Sequence, residues 1–183
     1  MSSRTDVVGM ESSPLVSLHA VCVRYGPGRL PKAENRAIGA GYAAASAAVC
    51  AAMLYAGVAT VVDSVGLQAA EFANVALAVL ALPLVVPGAF AVGFLGWKVR
   101  PLNSPVSGSI AGIFGAIVTY GTVLVLFGVP VTALEGLSGA DPIRAAVFSW
   151  GVIYFAFLET WWAALPIGAV SGALFTAVVS RVE

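Results

Sequence analysis

The chain has 183 residues, 60% hydrophobic and only 10% charged, with 9 basic and 9 acidic side chains and a formal net charge of zero. Together with a mean hydropathy of +0.95, this excludes an ordinary water-soluble domain, in which about a quarter of residues are charged. It also excludes a strongly basic nucleic-acid binder and specifies a protein whose solvent is lipid.

Residues 1–36 form a tail with turn formers, "RYGPGRLP" at Arg24 to Pro31 among them, and no long apolar run. The pattern predicts a partly disordered cytoplasmic tail. Its most apolar stretch, "PLVSLHAVCV", is too short and interrupted for a cleaved leader, so the first span is expected to act as the uncleaved signal. His19 is the single histidine, Cys22 lies in the tail and Cys50 in the middle of the first span, so neither a disulfide nor a metal pair is indicated. Arg4, Arg24, Arg29, Lys32 and Arg36 are dispersed along the tail, a topogenic pattern and not a nucleic-acid patch.

A bilayer core of about 30 Å needs about 20 apolar residues per helix. Residues 37–183 contain such runs and are read as one transmembrane domain, with spans at about 37–62, 74–97, 105–131 and 161–180. The predicted fold is an all-α integral membrane protein, a four-helix transmembrane bundle. The apolar region from Ala145 to Ser180 is too long for one span of ordinary length and contains Glu159 and Pro166. Residues 143–158, "IRAAVFSWGVIYFAFL", are therefore expected to form an extra short helix, re-entrant or interfacial, before the last span. The alternative is five spans, with Pro166 opening the fifth.

Charge favours four. Lys98 and Arg100 follow the second span and Arg181 the last, while Asp63, Glu71, Glu135 and Asp141 stand in the other loops with Arg144. Under the positive-inside rule, four spans put every basic residue but Arg144 on the cytoplasmic side, with both termini there, in a multi-pass protein of the cell membrane.

The second span contains "LPLVVPGAF". Pro83 and Pro87 each remove a helix hydrogen bond, which predicts a kink or a locally unwound segment. Glu159 carries two readings. With the last span beginning near Trp161, Glu159, Trp161 and Trp162 form an interfacial group, indoles at headgroup level and the carboxylate hydrated. Held within the membrane, Glu159 is instead a candidate polar site for a proton or cation.

Small side chains recur every four residues, on nearly one helix face. Ala44, Ala48 and Ala52 do so in the first span, Gly108, Gly112 and Ala116 in the third, and Gly168, Gly172 and Thr176 in the fourth. Two GxxxG units sit in these rows, and such stripes let helix backbones approach closely in lipid. The third and fourth rows also align at an offset of 60 residues, which spacing for packing explains more simply than an internal repeat.

No HExxH, CxxC, GxSxG or phosphate-loop pattern occurs. Neither catalytic residues nor a cofactor or metal are expected. The residues point to a non-catalytic accessory, scaffolding or assembly subunit that meets membrane lipid and a second copy or another membrane protein. The alternative is a small transporter or channel built around the proline-bearing second span.

Overall fold

Short polar residues start three of the helices. The first amides of a helix lack partners in their own ladder, and a side-chain oxygen just ahead of them supplies one. Asn35 Oδ1 accepts from the Ala37 amide at 3.1 Å, and Asp141 Oδ1 from the Ile143 amide at 2.9 Å. Ser104 Oγ accepts from the Ser107 amide at 3.2 Å, while Ser107 Oγ accepts in return from the Ser104 amide at 3.3 Å. Pro105 and Pro142 follow two of these caps, where a missing amide costs nothing.

The computed structural model describes residues 35–64, 71–100, 104–139 and 141–179, and in it the caps open long helices. These are α1 (Arg36–Ser64), α2 (Glu71–Val99), α3 (Pro105–Leu137) and α4 (Pro142–Val179). All 4 are long and apolar enough to cross a membrane. The tail through residue 34, with His19 and Cys22, and the terminal Arg181 lie outside the described residues.

The helices form two antiparallel hairpins, α1 with α2 and α3 with α4, which carry the most extensive contacts. Contacts of α1 with α4 and of α2 with α3 close the ring, and α1 barely touches α3 across it. Gly93 lies against Ala40, Gly108 against Gly172, and Ser171 Oγ donates to the Ala43 carbonyl at 3.3 Å. These pairings bring Arg36, Arg100, Ser104 and Val179 to one end of the bundle.

Burial is the reverse of that in a water-soluble bundle. The buried residues are small, among them Ala40, Ala89, Ala163, Ser149 and Thr176, and the largest of the fully buried side chains are Thr176 and Ser149. Large apolar side chains such as Met53, Ile143, Val147 and Leu174 are exposed. In lipid this costs nothing, because helix association there rests on close backbone contact and not on removing oil from water.

The expectation of a separate short helix is corrected, and one of the two alternatives at the proline pair is removed. Residues 143–158 do not form a separate short helix, because α4 runs unbroken through Glu159 and Pro166 for 38 residues, about 57 Å at 1.5 Å per residue. The α2 helix likewise continues through Pro83 and Pro87 without an unwound segment. The same constraint explains both. A proline forfeits one amide bond, whereas unwinding in lipid would strand several backbone groups with no water to receive them. The outer half of α4 is also backed by α3, with Gly128 against Ser149 and the Tyr120 ring edge-on to Phe157 at 5.1 Å.

The topology is checked by single cysteines in a background lacking Cys22 and Cys50. A cysteine at Gly139 and one at Lys98 should react with an impermeant thiol reagent from opposite faces of the membrane. Labelling of both from one face sinks the antiparallel arrangement.

Candidate functional site

The tightest seam joins α3 to α4. A methyl group on Gly112 would strike the Gly168 carbonyl, one on Gly172 the Gly108 carbonyl, and one on Gly108 both the Thr176 side chain and the Gly172 carbonyl. On Gly168 it would meet the Gly112 carbonyl oxygen at 2.7 Å and the Ala116 methyl at 3.3 Å. The two rows of small residues thus face each other antiparallel, and their equal spacing is that of two interlocking faces. Ser109 Oγ adds a bond to the Ala169 carbonyl at 3.0 Å.

A second seam, which the row analysis missed, joins α1 to α2. A methyl on Gly93 would come within 2.6 Å of the Ala40 carbonyl and 2.8 Å of the Ala44 methyl, and one on Gly41 within 2.8 Å of the Phe90 ring. The signal was present in the sequence, since Ala89 and Gly93 stand four apart in α2 and Ala89 is buried. Ala44 therefore meets α2 at Gly93, and together with Ala48 and Ala52 of the same row it also borders open space.

That space lies between the two hairpins and has a volume of about 1620 Å³. Its walls are apolar and mostly small, with Ala48, Ala51 and Ala52 from α1 and Ala78 and Ala81 from α2. Tyr55, Tyr120, Phe127 and Phe155 add aromatic surface. Glu159 also lines it, and its carboxylate lies within electrostatic reach of the Tyr55 phenol. A smaller hollow of about 190 Å³ at Tyr120, Gly121, Trp150 and Tyr154 has no charged residue in its lining.

The residues around Glu159 are fixed by neighbouring turns. Trp162 Nε1 donates to the Glu159 backbone carbonyl at 2.7 Å, and the Trp162 ring stands 6.5 Å from that of Tyr55. Thr160 Oγ1 donates to the Ala156 carbonyl at 2.6 Å. A hydroxyl has one proton to give, so in the Tyr120–Thr160 hydrogen bond the phenol is the donor. The interior hydroxyls are committed in the same way, Thr119 to Gly115, Thr122 to Val118, Ser149 to Ala145 and Thr176 to Gly172.

Glu159 is an internal residue of a continuous helix. It stands near the midpoint of α4 and, through the Tyr55–Trp162 contact, beside the last three turns of α1. Trp161 and Trp162 are exposed on the same stretch. Pro83 and Pro87 are exposed and do not line the cleft, while the neighbouring Gly88 is buried, and a methyl group on it would lie 3.6 Å from the Thr122 and Val123 side chains. Among the described residues no group of three or more His, Cys, Asp or Glu is placed to hold a metal. No protein-family model matches this chain, and comparison with curated proteins and with solved structures finds no match either.

Replacing Gly112 or Gly172 with Ile should destabilise the folded protein by about 1 to 3 kcal/mol or more, the usual cost of overpacking. The same change at Gly121 or Gly151, on the same two helices with nothing within 4 Å, should be mild. Equal melting temperatures for all four variants in detergent would mean that the seam does not carry the fold.

Proposed function

We propose that the protein is a non-catalytic multi-pass subunit of the cell membrane, an accessory, scaffolding or assembly component that works through helix packing. The observation that supports this most is the unequal packing of the two hairpins. Each is closed by backbone contact along a glycine seam, yet between them lies a wide apolar cleft. A subunit that receives another membrane segment or lipid needs rigid halves and an unfilled joint. By the positive-inside rule, the end with Arg36, Lys98 and Arg100 faces the cytoplasm, and the end with Glu135, Asp141 and Arg144 faces outward.

The full chain extracted in lipid-preserving nanodiscs should retain a second copy or another membrane protein, read as the mass of the particle. A monomer with no retained partner, at native expression and without detergent, overturns the assembly role.

A second reading, a small transporter or channel, is favoured by one observation, the presence of Glu159 in the lining of the cleft. The proline pair adds nothing to it, since neither proline reaches that space. Reconstituted protein that moves a solute in vesicles, and stops doing so in Glu159→Gln while staying folded, would replace the first reading with this one.

A further inference from the structure

We propose that the cleft between the hairpins is a binding site for a monovalent organic cation with an apolar body, and that Glu159 is its counter-charge. The site does not depend on the assembly role, which is tested by partner retention and not by ligand binding.

Three observations carry it. The first is charge. A carboxylate among apolar turns is costly unless something compensates it, and the basic side chains of the described residues are all distant. Arg144 lies on the same helix fifteen residues away, about 22 Å at the helical rise. Arg36, Lys98 and Arg100 stand at the opposite end of the bundle, where Arg100 lines the far end of the same cleft. The Glu159 end of the cleft thus has no basic side chain among the described residues of its lining.

The second is the character of the walls. A small inorganic cation requires several oxygen ligands, and the one charged oxygen group at this level is Glu159, beside the Thr160 and Tyr120 hydroxyls, which give their protons to the Ala156 carbonyl and to Thr160. Around that carboxylate the lining consists mainly of methyl groups from Ala52 and Ala156 and the rings of Tyr55 and Phe155. Aromatic faces attract a cation, and more strongly once it is desolvated. One anionic group, aromatic rings and small apolar side chains suit a cation whose charge is spread over a hydrocarbon frame.

The third is room. The cleft of about 1620 Å³ is larger than the usual pocket of roughly 300 to 1,000 Å³ for a small molecule. It stays open because α1 and α2 present alanines there, so the ligand enters without displacing a packed side chain.

The test uses the purified full chain in nanodiscs of neutral lipid, with tetraphenylphosphonium as the probe and tetraphenylborate, nearly the same shape with opposite charge, as its control. Saturable binding of the cation is expected, with quenching of tryptophan emission, and little binding of the anion. Glu159→Gln should weaken cation binding about ten-fold or more, one charge interaction's worth, while Glu159→Asp retains most of it and both variants keep the melting behaviour of the parent. Equal affinity for the two probes, or unchanged affinity in Glu159→Gln, overturns the proposal, and so does displacement of the probe by sodium at comparable concentration. If Glu159→Gln fails to fold, the preference of the unaltered protein for cation over anion decides the matter by itself.

Discussion

The contact on which the rest of the structure depends is that between the backbones of α3 and α4. Gly108 and Gly112 meet Gly172 and Gly168 so closely that even a methyl group would strike a carbonyl oxygen. Contact of this kind replaces the hydrophobic effect, which cannot drive two helices together when the surrounding solvent is as apolar as their side chains. It also dictates what is buried. Where backbones touch, only Ala, Ser, Thr and Gly fit between them, and large side chains are left exposed, as Val125, Val147 and Leu174 are. The length of α4 follows as well, because its outer half remains helical against α3 instead of turning aside at Glu159.

The two hairpins meet under a different rule. Bulkier groups act as struts between them. Tyr55 stands against Trp162, Trp97 packs edge-on to Phe175 at 5.3 Å, and Gly88 abuts the Thr122 and Val123 side chains. Between those struts α1 presents Ala48, Ala51 and Ala52, which are too short to fill the distance the larger residues hold open. The cleft is thus a direct result of where alanine and aromatic residues alternate along the facing helices. A single carboxylate placed in its lining is the most distinctive chemistry among the described residues.

Backbone chemistry accounts for the uneventful behaviour of residues that looked disruptive. Four internal prolines, Pro83, Pro87, Pro130 and Pro166, leave their helices continuous, since in lipid each lost bond is cheaper than the several that unwinding would expose. The interior serines and threonines turn back to carbonyls of their own helix, except where Ser109 and Ser171 reach a neighbour. Such bonds satisfy the hydroxyl without building a polar path across the bundle.

The sequence by itself determined the all-helical class, the four long apolar helices and the small-residue rows of α3 and α4, because each depends on local composition or on a period of about four residues. It pointed to Glu159 for the same reason, as a lone charge in an apolar run. Only the tertiary structure decided that α4 is one helix, since its continuity depends on α3 lying behind it. It also decided that the row on α1 meets Gly93 at Ala44 and borders the open space along Ala44, Ala48 and Ala52. Spacing along one helix shows which residues share a face; the partner that meets that face, and how closely, is a property of distant segments and of the side chains that hold them apart.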